Sequence, residues 1–145
     1  ETRRFYEDFL GLPLANAFEI DTTMTGRATR VLHSFYEMGD GSFLAFFEAP
    51  DMPFEFKDQH DFDLHIALEV DEKTLHAMFA KGKEQGIETR GISDHGFIHS
   101  IYFRDPNGYV IELSAPVASR DGEDDDHGKA RAALDRWQET KPGGA

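Results

Sequence analysis

The chain has 145 residues, 39% of them aliphatic or aromatic with 13 Phe, and a formal charge of −13 from 28 acidic against 15 basic side chains. That length supports one compact domain with a real core and falls short of two. The charge repels polyanions and argues against a nucleic-acid partner. The absence of cysteine removes disulfides, thiolate zinc sites and thiol nucleophiles, so any metal must be held by nitrogen and oxygen, and a cytoplasmic protein is expected.

Phe5, Tyr6, Phe9 and Leu10 recur at helical spacing and stop at Gly11, ahead of Leu12-Pro13, so the chain opens inside a helix. Strands are predicted over 15–21, 30–38 and 42–48, with a polar loop at 22–26 and Gly39-Asp40-Gly41 as a turn. The longest apolar runs, such as residues 43–47, are too short to span a bilayer, so no membrane association is expected. Residues 51–63, with Pro53, three Phe and alternating acids, read as an irregular connector between two halves.

The second half predicts a strand over 64–70 and then a helix through Gln85. Asp71 caps that helix, Leu75, Met78 and Phe79 form its apolar stripe, and Gly86 ends it. Strands over 87–91, 97–103 and 109–115 follow, the last two joined by the turn Asp105-Pro106-Asn107-Gly108. The acidic run 119–127 is expected to be a flexible linker, and 129–140 a helix docked through Leu134 and Trp137.

The halves repeat: a helix ending at Gly11 or Gly86, three strands, and a Glu near the end of the last. Gly11 to Glu48 is 37 positions and Gly86 to Glu112 is 26, so the first copy carries 11 more, placed most simply at 22–27. The second copy also has a strand ahead of its helix, with His65 lying 21 positions before Gly86, whereas ten residues precede Gly11. The first copy's first strand is therefore expected to be missing from this chain or replaced, because an unfilled place would leave backbone groups unpaired.

Alternate strand residues face opposite sides of a sheet. Leu64, Ile66, Leu68 and Val70 face the core, which turns His65, Ala67 and Glu69 away from it; Tyr109, Ile111 and Leu113 face the core, which turns Glu112 away. His65 and Glu112 thus share the non-core face, where a buried carboxylate requires a cation or another partner.

The run Asp63-Leu64-His65-Ile66-Ala67-Leu68-Glu69-Val70, followed by Ile101-Tyr102-Phe103-Arg104-Asp105-Pro106-Asn107-Gly108-Tyr109-Val110-Ile111-Glu112-Leu113, resembles the vicinal-oxygen-chelate superfamily of glyoxalase I, extradiol dioxygenases, fosfomycin-resistance and bleomycin-binding proteins. The resemblance covers residues 1 to about 115. It implies an α+β fold of paired βαβββ modules, 1–50 and 63–115, forming a cupped mixed β-sheet with helices outside, in a single domain over 1–118; an acidic linker and C-terminal helix over 119–145 complete the chain. It also implies that His65 and Glu112 bind a divalent metal. Glu48 occupies the matching end of the first module, where glyoxalase-type members place a ligand. Ring-cleaving members use two His and one Glu, the second His lying on the strand absent here. Their signature is matched by His95, Ile101-Tyr102, Asp105-Pro106-Asn107-Gly108 and Glu112, with Ser93 as a departure. In that family the matched His is an acid/base and the Tyr hydrogen-bonds the substrate, roles that pass to His95 and Tyr102.

His99 is an odd number of positions from Tyr102, faces the opposite side and is read as structural. His33 shares a face with Val31 and Phe35 and could line a pocket, while His60, His76 and His127 receive no role. The first functional reading is a dioxygenase-like enzyme using Fe(II) or Mn(II) on a catechol-like small molecule. The alternatives are a glyoxalase-type lyase or isomerase using Ni(II) or Zn(II) and a metal-bound enediolate, favoured by Glu48, and a metal-free protein that sequesters an antibiotic-like molecule. The expected partners are the small-molecule substrate and a second copy of the chain in a homodimer.

Overall fold

The computed structural model describes residues 1–52, 60–62, 64–117 and 127–142. Most of the expected connector and nearly all of the acidic linker lie outside the described residues. The opening helix, Arg4–Phe9, is wound as a π-helix: the Leu10 amide donates to the Phe5 carbonyl at 2.9 Å, five residues back. Gly11, at φ +82°, turns the chain out of it in a conformation that a Cβ would oppose.

Three antiparallel strands follow, β1 (Leu14–Thr22), β2 (Ala28–Glu37) and β3 (Phe43–Glu48), in spatial order β1-β2-β3. The second half runs β4 (His65–Glu69), α1 (Glu72–Glu84), β5 (Thr89–Asp94), β6 (Ile98–Arg104) and β7 (Val110–Pro116), in order β4-β7-β6-β5 with β4 parallel to β7. The Asp71 side chain accepts from the Thr74 amide at 2.6 Å, the predicted cap of α1.

Among the described residues the first half thus holds three strands and the second four, and the mixed α+β architecture is as expected. Among the described residues, β3 pairs only with β2 and β4 only with β7. The fifth strand begins at Thr89 rather than at 87, because the Ile87 amide still bonds back to the Gly82 carbonyl and the Thr89 hydroxyl donates to the Ile87 carbonyl, closing the helix-to-strand turn first.

One core serves both sheets, and the opening helix is its wedge. Tyr6, fully buried, packs on Tyr36 and Phe46 of the first sheet, while Phe9 meets Phe103 of the second edge-on at 5.1 Å. From α1, the Lys81 ammonium donates to the Phe9 carbonyl at 2.5 Å and the Asp8 carbonyl at 3.2 Å, where the unpaired carbonyls of a helix end favour a cation.

The Asp-Pro-Asn-Gly turn is built on its acid. Buried Asp105 accepts from the amides of Asn107 and Tyr109 through Oδ1, and from the Asn107 side chain and the Tyr6 hydroxyl through Oδ2, the last at 2.9 Å. Burial first, and then the Asp105 charge, hold the Tyr6 phenol well above its ordinary range, so it serves as a donor. Tyr6→Phe removes this bond to a buried carboxylate and is expected to cost about 1.5–3 kcal/mol in urea unfolding, with an unchanged denaturant slope.

The last helix, α2 (His127–Thr140), forms close to its predicted place, but Leu134 and Trp137 are 50% and 59% exposed, so its apolar stripe is not buried on the sheet. Among the described residues no helix is long and apolar enough to cross a membrane.

Candidate functional site

The second sheet carries a polar row on the face turned away from the core. Ile101, Phe103, Ile111 and Leu113 enter the core, and the residues alternating with them point the other way. Cross-strand register then aligns Arg90 with Tyr102 and Tyr102 with Glu112, while β4 brings Ala67 beside Glu112 and His65 two residues before it. His65 Nε2 lies 2.6 Å from Glu112 Oε2. Its ring stands edge-to-face to Tyr102 with centroids 6.0 Å apart. From the turn after β5, His95 Nε2 reaches the Tyr102 hydroxyl at 3.0 Å. Four of the five residues singled out in the sequence therefore form one contiguous group.

Glu112 is 9% exposed, and burial pushes its carboxyl up. The donors around it outweigh that: Ser100, His65 and Ser114 together hold it below the usual carboxylate range. The Ser114 hydroxyl donates to Oε1 at 3.0 Å. The Ser100 hydroxyl is fully buried and makes no well-formed hydrogen bond, so its influence on Glu112 is that of a nearby dipole. The result is an ionised carboxylate beside an imidazole, a pair of donors suited to a divalent cation.

Glu48 is not brought to this group. In β3, Leu44 and Phe46 pack on the core, and Glu48 shares their parity, so Phe47 rather than Glu48 faces the side that Glu112 faces in the second sheet. Among the described residues no three His, Asp or Glu side chains gather closely enough to hold a metal.

His99 turns to the helix side and contacts Glu72 Oε1 of α1, consistent with its structural reading. No local pattern foretells the clamp behind Tyr102. Asp61, in the connector, bonds both Arg90 and Arg104, and the Arg90 guanidinium sits 5.8 Å from the Tyr102 ring centroid. The two arginines hold the Asp61 carboxyl below its ordinary range. Ser100 and Ser114 were within reach of strand parity, each being two positions from a residue already placed on this face. Asp61 lies in an aperiodic stretch and carried no signal. A cleft of about 710 Å³ opens between Met38–Asp40, β4 and α1, but it is lined by apolar chains such as Leu10, Val70 and Met78 and by none of the grouped residues.

The model of the Glyoxalase/Bleomycin resistance protein/Dioxygenase superfamily matches residues 1–113. The chain belongs to that superfamily. Among solved structures of this fold, a fosfomycin resistance protein, FosX, from Listeria monocytogenes complexed with Mn(II) and sulfate is 17% identical, over 81% of this chain and 82% of that one, at a TM-score of 0.56. TnmS3, an antibiotic binding protein from Streptomyces sp. CB03234, is 24% identical over 80% and 84%, at 0.55. The glyoxalase I of Leishmania major is 17% identical over 95% and 86%, at 0.56. No curated protein sequence matches significantly. These likenesses agree on the superfamily fold, which hosts both enzymes and binding proteins, so the activity must be argued from the site.

Proposed function

We propose that residues 1–118 form a metal-dependent, dioxygenase-like enzyme acting on a catechol-like small molecule, working in the cytoplasm as a homodimer. The observation that carries this reading is the His95 Nε2 to Tyr102 hydroxyl contact at 3.0 Å, immediately beside the His65–Glu112 pair. It sets a proton carrier and a phenol donor next to two metal donors without making either of them a ligand.

His65 Nε2 and Glu112 Oε2 would hold the metal. They converge from one face, and the carboxylate is ionised, so their chemistry fits Fe(II) or Mn(II). When bound, such an ion supplies Lewis acidity, open coordination positions and redox chemistry with dioxygen. The chain's own contribution is positional. Tyr102 donates a hydrogen bond from its hydroxyl to a substrate oxygen, His95 Nε2 accepts a proton from a substrate hydroxyl and later returns it, and Arg90, tied by Asp61, fixes the Tyr102 ring.

A glyoxalase-type lyase needs Glu48 at the site, and its place on the other face of β3 weighs against it. A metal-free binding protein has one observation in its favour: His65 and Glu112 already satisfy one another, and among the described residues no third ligand joins them. The likeness to an antibiotic binding protein agrees with it.

Anaerobic loading with Fe(II), Mn(II), Ni(II) and Zn(II), elemental analysis, and oxygen uptake with a panel of catechols test the three readings together. Stoichiometric Fe(II) or Mn(II) with oxygen uptake is expected. Loading with no uptake from any catechol would reject the dioxygenase reading in favour of the lyase, and no loading by any metal would leave a binding protein.

A further inference from the structure

Ser100 lies on β6, an inner strand of the second sheet, paired with Ser114 of β7 on one side and Ser93 of β5 on the other. Its spacing of two from Tyr102 turns its side chain to the face that carries Glu112. The residue is fully buried, yet its hydroxyl has no hydrogen-bond partner among the described residues. An unpaired buried hydroxyl carries a desolvation cost, and native structures leave few such groups without a role.

The donors around Glu112 supply that role. An ionised carboxylate can only accept, so the 2.6 Å contact between His65 Nε2 and Glu112 Oε2 requires a proton on Nε2. The Ser114 hydroxyl serves Oε1 at 3.0 Å. Each oxygen thus has a donor, and the Ser100 hydroxyl beside them is left over. A divalent cation binds the lone pair of an unprotonated imidazole nitrogen, so an Nε2 that holds metal gives up the proton it shares with Glu112. Loading therefore takes one donor from the carboxylate while a second, unused donor stands next to it. We propose that Ser100 is a positioning residue for Glu112, whose hydroxyl takes over the carboxylate when His65 ceases to donate to it, as it must on binding a metal. The inference deepens the metal-dependent reading and rests on it for the event that releases His65, but the exchange of donors belongs to the chain itself and can be provoked without metal.

The test compares the full chain with Ser100→Ala and Ser114→Ala, each freed of metal with a chelator, by urea unfolding and by calorimetric titration with Mn(II). Ser100→Ala removes a hydroxyl that the metal-free protein does not use. Its urea midpoint should therefore equal or exceed the parent's, while Mn(II) binding weakens about 10- to 100-fold. Ser114→Ala should lose both stability and affinity, since its bond to Oε1 already exists. Substitution can also release the carboxylate: in a His65→Ala background, Ser100→Ala should lower the metal-free midpoint by about 0.5 M. A serine present only for its small size would give Ser100→Ala the parent's Mn(II) affinity and no loss in the His65→Ala background, and that result overturns the proposal. So does a metal-free midpoint lowered as far by Ser100→Ala as by Ser114→Ala, the mark of a hydroxyl bonded from the start. An unaltered chain that binds no Mn(II), with the loss in the His65→Ala background still seen, rejects the metal-dependent reading and keeps the exchange. Mn(II) binding that Ser100→Ala leaves untouched rejects the exchange alone.

Discussion

His95→Ala is expected to lower kcat by about 10² to 10⁴ with the best catechol substrate while metal content stays at the parental level. The magnitude is that of removing one proton-transfer group placed on the reacting atoms. Its separation from metal loading follows from the geometry: His95 approaches the site through the Tyr102 hydroxyl and makes no contact with the His65–Glu112 pair. Elemental analysis and steady-state kinetics on one preparation decide the matter. His95→Ala protein that loses metal in proportion to activity would make His95 a ligand and require the site to be redrawn. A loss of less than threefold would remove it from the chemistry.

The second large effect is expected at Glu112. Glu112→Gln keeps the shape and removes the charge, and metal affinity should fall by more than about a hundredfold, beyond the usual 10- to 100-fold effect of residues that merely support a ligand. Titration calorimetry with Mn(II) measures it. His65→Ala should match it in metal affinity and be the more harmful to folding, since it leaves the Glu112 carboxylate, held down by His65 and its neighbours against burial, with fewer donors. Because the carboxyl is depressed on folding, its contribution to the stability of the metal-free protein is present above the ordinary carboxylate range and is lost as pH falls through the lower folded value. Glu48→Gln should leave Mn(II) affinity within twofold, as befits a side chain on the other face of its strand.

The fold was legible wherever periodicity acts locally. The stops at Gly11 and Gly86, the Asp71 cap and the alternation in β4 and β7 each follow from one turn of backbone geometry, and the elements lie within two or three residues of their predicted bounds. The shared face of His65 and Glu112 followed from parity, and Tyr102 was added by the likeness to the ring-cleaving signature. Parity also held the warning about Glu48: matching it to Glu112 by its place at a strand end ignored that Leu44 and Phe46 already fix the inward face of β3. The Asp61 clamp and the exposure of Trp137 depend on where aperiodic or distant segments come to rest, and no local rule specifies that. The aromatic rung that Phe18, His33 and Phe47 form across the first sheet lay between, since its members alternate correctly but their register across three strands is set by the loops.

The two sheets meet through the opening helix, with Tyr6 touching one and hydrogen-bonded to the turn of the other, while their outward faces differ in chemistry, rings on the first and titratable groups on the second. A duplicated half can diverge in this way because each face is replaceable without disturbing the core behind it. Phe18, Phe43 and Phe47 in the first half can then be exchanged at little cost to the core, because they are exposed, while the titratable group of the second half stays in place.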